Sequence, residues 1–181
     1  SLKIKDHLLT NARFIHSPNQ DDRSATDLIL IVIHGISLPP GDFDSDDIIL
    51  LFTNQLDCSG EAYSDLLDVK VSSHILIRRD GEIIQFVPFN RRAWHAGESS
   101  FKGMTGCNDF SIGIELEGTD DTPYSKEQYL ALNAVIDAIY SEYGYLSLKG
   151  HSDISPGRKT DPGRCFDWSK VGPDESKRPL H

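Results

Sequence analysis

The chain has 181 residues, of which 38% are hydrophobic, and its 18 basic and 28 acidic residues give a formal net charge of −10. This length and composition predict a single globular domain that spans residues 1–181 and buries one core. The acidic balance disfavours a nucleic-acid partner, which usually requires a basic face. No apolar run reaches the roughly 18 residues of a membrane helix, so no membrane partner is expected.

The cysteines indicate the compartment. Cys58, Cys107 and Cys165 are odd in number and widely spaced, a pattern that favours a reducing environment over a disulfide framework. Residues 1–17 also lack the charged and then apolar segments of a signal peptide. We therefore expect a cytoplasmic location.

The first half of the chain predicts a strand, a helix and a hairpin. The continuous apolar run at 28–34 is typical of a strand that is buried on both faces. Acidic residues followed by an apolar run predict a helix at 46–56, because the helix dipole favours acidic groups in the first turn. Two runs rich in β-formers within 69–89 flank an Asp-Gly pair at 80–81, which supplies the positive φ angles of a tight hairpin turn.

A long glycine-containing segment and a second buried strand follow. Residues 91–109 predict an irregular loop, and a loop of this length in a compact domain is more often functional than idle. The apolar run at 110–116 predicts a buried strand. Gly113 within that strand indicates that a neighbour approaches closely at this position.

The most regular helical pattern covers residues 125–143, where apolar side chains recur at three- and four-residue steps. Ser125 and Gln128 match a capping box, and Gly144 matches a C-terminal stop. A short strand is predicted at 146–151. Strands separated by helices, together with one hairpin, predict an α/β fold with a central mixed β-sheet flanked by helices.

Two histidines and an aspartate form a candidate metal site. His34 and His151 each end an apolar strand and enter a glycine-containing loop, and ligands gather at strand ends in α/β sheets. Asp161 lies ten residues after His151. Two imidazoles and one carboxylate would make a three-ligand zinc set with a fourth position open for water. The alternative is that these are ordinary surface or capping residues, because the spacing alone is a weak pattern.

Three further charged residues could take part in catalysis. Glu115 lies in a predicted buried strand, where a carboxylate is costly unless it is paired or functional. It is a candidate general base, or else a salt-bridged structural residue. Glu117 points the same way, and we expect it to be wetter because it is nearer the strand end. Lys159 precedes Asp161 by two residues and could stabilise an oxyanion beside a metal; the alternative is a solvated surface lysine.

Other polar and aromatic residues carry weaker indications. His74 lies in a predicted strand, where a lone histidine is more often a hydrogen-bonded core residue than a ligand. Trp94 could stack on a sugar or peptide, although a loop aromatic is as often simple packing. Asp153 and Arg158 lie in the irregular stretch 150–163, and the pattern indicates no role for either of them.

Four ordered segments carry a family resemblance: IVIHGISLPPGDF, VSSHILIRRDGEIIQFVPFNRRAWHAG, CNDFSIGIELEGTD and GHSDISPGRKTDPGRCFDW. Together they resemble the AmpD-type N-acetylmuramoyl-L-alanine amidases, which are zinc amidases related to phage lysozyme-type amidases and peptidoglycan recognition proteins. The resemblance runs in order through about residues 13–168. It implies the fold of that family, a mixed sheet flanked by helices, in agreement with the pattern of predicted elements.

The resemblance also implies a role for each matching position. It implies one zinc ion bound by His34, His151 and Asp161. It implies that Glu115 is the catalytic acid and base, and that Lys159 stabilises the transition state.

Around the centre, the resemblance places Trp94 and His95 in the substrate region. The chain departs from the family pattern at Gly35, where many relatives carry Asn, and at Lys70 and Gly106, where Arg is common. These three positions are expected to contact the sugar or the carboxylates of the peptide.

The implied activity is zinc-dependent hydrolysis of the amide bond between the lactyl group of N-acetylmuramic acid and L-alanine. The expected substrate is a 1,6-anhydro-muropeptide or another peptidoglycan fragment, in cell-wall recycling. Two alternatives are a periplasmic or secreted amidase that acts on intact peptidoglycan, and a non-catalytic module that binds it. The presence of all three ligands with Glu115 and Lys159 favours the enzyme.

Overall fold

The structure, a computed structural model, describes residues 1–23 and 27–172; the final part of the predicted domain, 173–181, lies outside the described residues. The strands are β1 (Ile4–Lys5), β2 (Leu8–Leu9), β3 (Arg13–Phe14), β4 (Gln20–Asp22), β5 (Leu30–Ile36), β6 (Ile75–Ile77), β7 (Ile83–Gln85), β8 (Arg91–Ala93), β9 (Ser100–Phe101), β10 (Met104–Thr105), β11 (Ser111–Glu117) and β12 (Ser147–Gly150). The helices are α1 (Asp47–Phe52), α2 (Lys126–Tyr143) and α3 (His151–Ile154). Short 3-10 turns lie at Glu61–Leu66, Cys107–Phe110 and Trp168–Lys170.

Six strands form the central sheet, in the order β12-β5-β11-β6-β7-β3. The pairs β12–β5, β5–β11, β11–β6 and β7–β3 are parallel, whereas β6 and β7 are antiparallel. The predicted mixed sheet flanked by helices is therefore confirmed. Its central strand β5 begins as a continuous apolar run because both of its faces are covered, and its neighbour β11 is buried along its whole length.

The two faces of β5 have different partners. Ile31 and Ile33 belong to the core cluster that includes the apolar side of α2. Leu30 and Val32 point to the opposite face and pack in a second cluster with the segment that precedes β11. Because side chains alternate along a strand, His34 shares the face of Leu30 and Val32, away from α2. One face of the sheet at β5 therefore packs against α2, and the other face carries the polar residue His34 near the strand end.

The caps predicted for α2 are confirmed. The Ser125 hydroxyl accepts a hydrogen bond from the Gln128 backbone N–H at 3.1 Å, and the Gln128 side-chain oxygen accepts from the Ser125 N–H at 3.0 Å. Gly144 follows the last turn with a φ of +83° and donates its N–H to Tyr140. In the described part of the chain, no helix combines the length and apolar character needed to cross a bilayer.

Helix α1 is shorter than the 46–56 range predicted for it. Asn54 adopts a left-handed φ of +59° just after the helix. Its N–H donates to Leu51, and the Gln55 N–H donates to Leu50 at 2.8 Å, which is the Schellman pattern that closes a helix. The apolar run predicted the helix, but this local cap ended it four residues early.

The hairpin predicted at 69–89 is confirmed, although its turn differs in detail. The Gly81 N–H donates to the Arg78 carbonyl at 2.9 Å, and of the Asp-Gly pair only Gly81 has a positive φ, at +90°. The Asp80 carboxylate instead accepts from the Glu82 N–H at 2.9 Å. The turn therefore needs one glycine conformation rather than two.

The segment 91–109 is more regular than the predicted loop, since it contains β8, the β9–β10 hairpin and most of a 3-10 turn. Strand β8 pairs with β4 in an antiparallel ribbon. A half-buried arginine, Arg23, holds this segment to the sheet. Its guanidinium donates to the backbone carbonyls of Phe89, Arg91, Asn108, Asp109 and Ser111.

His74 is a core residue, as its position in the sequence favoured. Its Nδ1 accepts a hydrogen bond from the Gly113 N–H at 3.1 Å, and its Nε2 donates to the Arg91 carbonyl at 2.8 Å. Burial, reinforced by the charge of Arg23, lowers the pKa of His74 to about 3. His74 is therefore neutral in the folded protein at neutral pH.

This buried neutral histidine predicts a pH-dependent stability. Between pH 3 and 6.5 the unfolded chain binds a proton on this histidine, whereas the folded chain does not. The contribution of neutral His74 to the free energy of unfolding is therefore fully present above pH 6.5 and is lost as the pH falls toward 3. The measurement is the free energy of unfolding in urea for the metal-free chain between pH 7 and 5. It should fall less steeply with pH in His74→Gln than in the parent, and the two slopes should differ by up to about 1.4 kcal/mol per pH unit. Equal slopes would contradict the assignment.

Candidate metal centre and active site

Three donor groups converge at the carboxyl ends of two neighbouring strands. His34 lies near the end of β5, and His151 follows β12, its parallel neighbour, as the first residue of α3. Their Nδ1 atoms lie 3.0 Å apart. Asp161 places its Oδ1 at 3.2 Å from the His151 Nδ1 and its Oδ2 at 3.4 Å from the His34 Nδ1. One donor atom from each residue lies within 4.8 Å of the others, an arrangement that could hold a metal ion.

The protonation states of this cluster suit a metal. Burial lowers the pKa of His34 to about 4, so its ring is neutral at physiological pH. Burial opposes ionisation of Asp161, but its contacts with His151 and His34 outweigh burial and hold its pKa well below the usual range. A neutral imidazole and an ionised carboxylate are the forms that coordinate a metal. The residues present therefore fit a divalent cation with nitrogen and oxygen ligands.

A backbone carbonyl orients His151. The His151 Nε2 donates to the Ala96 carbonyl at 2.9 Å, and because a carbonyl only accepts, Nε2 carries a proton and Nδ1 is the ring nitrogen that faces the cluster. The Arg158 Nη2 donates to the same carbonyl at 2.7 Å and to the Glu98 carbonyl at 2.9 Å. Gly97, the residue between these two carbonyls, lets the guanidinium come this close, because a Cβ there would lie 2.9 Å from the Arg158 Nη2. Arg158 thus holds in place the acceptor that orients His151, one of the three candidate metal donors.

His95 supports His34 from beneath. Its Nδ1 lies 2.8 Å from the His34 Nε2, and its Nε2 lies 3.1 Å from the Ser111 hydroxyl. The ring fits because Gly113 has no Cβ; an added Cβ there would lie only 2.5 Å from the ring. This confirms the close approach predicted at that glycine. Both ring nitrogens of His95 therefore face protein atoms rather than the open side of the site, where a substrate contact was expected.

Glu115 lies beside the cluster because of strand register. In the parallel pairing of β5 and β11 it is directly opposite His34, and its Oε1 lies 3.6 Å from the His34 Nδ1. Its Oε2 is buried and has no hydrogen-bond partner among the described residues. Burial, with the negative charge of Asp161, raises the pKa of Glu115 well above its ordinary value. Such a carboxyl is suited to exchange a proton with a reacting group.

Glu117 shows why only one of the two carboxyls on this face is available. The expectation that Glu117 is wetter is wrong: it is 1% exposed, against 8% for Glu115. The turn at 78–79 covers the end of β11, and the Glu117 carboxylate accepts hydrogen bonds at 3.2 Å from the Arg78 side chain and from the Arg79 N–H. Glu117 is therefore the salt-bridged structural residue.

Lys159 and Gly35 also adjoin the centre. Lys159 is exposed, and its positive charge opposes the burial effect on Glu115 by lowering that residue's pKa. It also contributes to the lowered pKa of His34, so it lies within electrostatic reach of both groups. The Gly35 N–H donates to the Asp161 Oδ2 at 3.3 Å.

Trp94 and Lys70 are not joined to the centre by hydrogen bonds or salt bridges within the described ranges. Trp94 is half-buried, and its backbone N–H and carbonyl both pair with Ser72. Lys70 is exposed at the end of the segment 66–70, beside an apolar groove that Leu51 helps to line. Their expected contacts with substrate stay predictions.

Two residues of the loop 150–163 gain a role that the pattern did not indicate. Asp153 accepts a hydrogen bond from the Gly150 N–H at 2.8 Å and so caps α3, the short helix inside a stretch that read as wholly irregular. Arg158 acts through backbone carbonyls, as described above. Such acceptors leave no side-chain signal in a sequence, so neither role was accessible from motif spacing.

Comparison with known proteins extends over nearly the whole chain. The profile of the N-acetylmuramoyl-L-alanine amidase family matches residues 25–164. The 1,6-anhydro-N-acetylmuramyl-L-alanine amidase AmpD of Enterobacter cloacae is 49% identical over 171 residues, which cover 92% of this chain and 91% of that protein. A crystal structure of a selenomethionine derivative of AmpD has a TM-score of 0.90 and 47% identity, covering 92% of this chain and 96% of the other.

A more distant similarity involves a bound substrate. The complex of the amidase AmiD from E. coli with anhydro-N-acetylmuramic acid-L-Ala-D-γ-Glu-L-Lys has a TM-score of 0.60 at 28% identity. The match covers 97% of this chain and 68% of that one.

The contact of Arg158 with Ala96 predicts an effect on metal affinity. Arg158→Gln removes the guanidinium that holds the Ala96 carbonyl, so we expect metal to bind about ten-fold more weakly in competition with a chelator. Arg164→Gln is the matched control, because Arg164 pairs only with Asp121 in an exposed salt bridge among the described residues. Equal affinity in the parent and in Arg158→Gln would show that this carbonyl needs no second donor.

Proposed function

The chain belongs to the N-acetylmuramoyl-L-alanine amidase family, and we propose that it hydrolyses the amide bond between the lactyl group of 1,6-anhydro-N-acetylmuramic acid and L-alanine in muropeptides. The similar Enterobacter cloacae protein is named for this bond. The observation that carries the proposal is a three-donor cluster of His34, His151 and Asp161 beside Glu115, a buried carboxyl with one unpartnered oxygen. The reaction belongs to peptidoglycan recycling.

The metal in this proposal is zinc. Two imidazoles and one carboxylate, with a further position left for water or substrate, are a ligand set that zinc adopts in hydrolytic enzymes. Zinc held by His34, His151 and Asp161 would supply a water that is acidic near neutral pH and would polarise the scissile carbonyl. The hydrogen bonds of His151 to Ala96 and of His34 to His95 support this assignment, because they orient both rings with Nδ1 toward the cluster.

Glu115 moves the proton. Its Oε2 is free to accept a proton from the attacking water, and the burial that raises its pKa makes the carboxylate a stronger base. The same oxygen then gives the proton to the L-alanine nitrogen as the amide bond breaks. One buried carboxyl can serve in both steps because the water and the leaving amine use the same space in turn.

Lys159 offsets the negative charge that develops on the carbonyl oxygen. Its charge already acts on Glu115 and His34, which supports a position within reach of the reacting atoms. An ammonium group held at such a position lowers the free energy of a tetrahedral transition state more than that of the planar amide.

The surrounding residues divide between substrate contact and support. Trp94 is proposed to stack on the sugar or the peptide, and Lys70 to meet a carboxylate of the stem peptide. His95 is proposed to orient His34 rather than to touch the substrate, because both of its ring nitrogens already face protein atoms. Gly35 acts through its N–H, which holds Asp161.

The cytoplasm is the proposed location. Cys58, Cys107 and Cys165 are all free thiols, the state that a reducing compartment maintains. A soluble muropeptide fragment is the substrate that such a compartment would offer.

The reaction is tested directly with two substrates. We expect the purified chain to release free peptide from a 1,6-anhydro-muropeptide faster than from intact peptidoglycan, as measured by chromatography of the products. A chelator should abolish the release, and added zinc should restore it. Preference for intact peptidoglycan would contradict the recycling role, and binding without release would indicate a non-catalytic module.

Two substitutions separate metal binding from transition-state stabilisation. Asp161→Ala removes a ligand, so we expect zinc to be lost in metal analysis. Lys159→Ala keeps all three ligands, so it should retain zinc while kcat falls by roughly a hundred- to a thousand-fold. Normal zinc content in Asp161→Ala would overturn the ligand assignment.

A further inference from the structure

A buried tyrosine hydroxyl lies against the segment that carries Asp161. Tyr124, between β11 and α2, is 6% exposed, and its Oη donates to the Pro162 carbonyl at 2.8 Å. Proline has no N–H, so this carbonyl is the sole backbone hydrogen-bonding group of Pro162. The carbonyl of the preceding Asp161 is held from the other side by the Ser152 N–H at 3.0 Å. The ligand segment is thus anchored both to α3 and to Tyr124.

Two glycines make room for this tyrosine. A Cβ at Gly35 would lie 2.3 Å from the Tyr124 Oη, and one at Gly118 would lie 2.5 Å from the Tyr124 Cε1, both far inside normal contact distance. Neither glycine has a positive φ, so space rather than backbone conformation is what each position requires. The Tyr124 hydroxyl therefore occupies the volume that a side chain at Gly35 would fill, next to the metal ligand His34.

The hydroxyl is suited to act as a donor. Burial, followed by the negative charges of Glu115 and Asp161, raises the pKa of Tyr124, so its proton is retained at any physiological pH. The effect of these two charges also indicates that the hydroxyl lies close to the reacting groups. The Gly35 N–H meets the Asp161 carboxylate itself, so both contacts act on the same ligand segment.

We propose that Tyr124 is a positioning residue for Asp161, and that its hydroxyl holds the segment 161–162 against the end of β5 in the space left by Gly35. The inference rests on the proposed function only in taking Asp161 as a metal ligand. It gives the departure at Gly35 a structural meaning. The glycine here admits a hydroxyl that steadies the ligand, rather than leaving a substrate contact unfilled.

The first test removes the hydroxyl. Tyr124→Phe keeps the ring in its core but leaves the Pro162 carbonyl without its donor, so we expect the metal-free full chain to bind Zn²⁺ about ten-fold more weakly in competition with a chelator. Tyr129→Phe is a matched control. Tyr129 is also 6% exposed, its ring also lies 5.6 Å from Phe166, and its hydroxyl accepts from the Asp167 N–H at 2.8 Å. It should lose comparable stability and keep its zinc affinity.

The second test displaces the Tyr124 hydroxyl by adding a side chain at Gly35. Gly35→Ala leaves Tyr124 intact but places a Cβ where the hydroxyl lies, so we expect a loss of zinc affinity similar to that of Tyr124→Phe. In the double variant the obstructing oxygen is absent, and the next atoms, in Pro162, lie at an ordinary 3.6 Å. Adding Gly35→Ala to Tyr124→Phe should therefore weaken binding by less than about two-fold further, a strongly non-additive result.

The outcomes separate clearly. Unchanged zinc affinity in Tyr124→Phe, or an equal loss in Tyr129→Phe, would overturn the positioning role. Losses that multiply in the double variant would show that Gly35 and Tyr124 act independently. If Tyr124→Phe fails to fold, the zinc affinity of Gly35→Ala still tests the proposal, because an unchanged affinity in that variant contradicts it. A parent chain that binds zinc but leaves muropeptide intact would refute the proposed reaction without touching this inference.

Discussion

The parallel pairing of β5 with β11 is the constraint on which the site depends. Seven residue pairs are in register along these strands, and one of them joins His34 to Glu115. Because side chains alternate along a strand, a slip of one residue would turn Glu115 toward α2 and leave an unpaired carboxyl in the apolar core. Ile112 and Ile114 of β11 oppose such a slip, since they belong to the core cluster beneath the helix and would be turned away from it. The packing of one face thus sets the position of His34 and Glu115 on the other.

The segment 91–109 covers the face of the sheet that carries His34 and Glu115, and it contributes backbone atoms as well as side chains to the site. The segment 91–109 supplies the Ala96 carbonyl to His151 and the His95 ring to His34. Arg23 holds this segment by donating from its two terminal nitrogens to five backbone carbonyls. Two of the proposed metal ligands, His34 and His151, are therefore oriented by a segment that contains neither of them.

The loop 150–163, which contains His151 and Asp161, is held at two points. Near His151, Arg158 ties the loop to the carbonyls of 96–98, and beyond Asp161 the hydroxyl of Tyr124 holds Pro162. The short helix α3 with its Asp153 cap sets the path of the chain directly after Gly150. An irregular segment can therefore present ligands accurately, because its rigidity comes from neighbours distant in the chain.

Local patterns in the sequence determined the buried strands, the capped helix α2, the hairpin and the types of residue that could bind a metal. These features depend on alternation, periodicity and turn chemistry within a few residues, which a sequence displays directly. The resemblance to a known family then joined His34 to His151 and Asp161, a link that spacing over more than a hundred residues could not supply. Tertiary structure alone decided that Arg78 pairs with Glu117 while Glu115 keeps one oxygen without a partner among the described residues, that His95 supports His34, and that Gly35 makes room for a hydroxyl. Each of these depends on which distant backbone atom or side chain fills the adjacent space, and no local pattern encodes that.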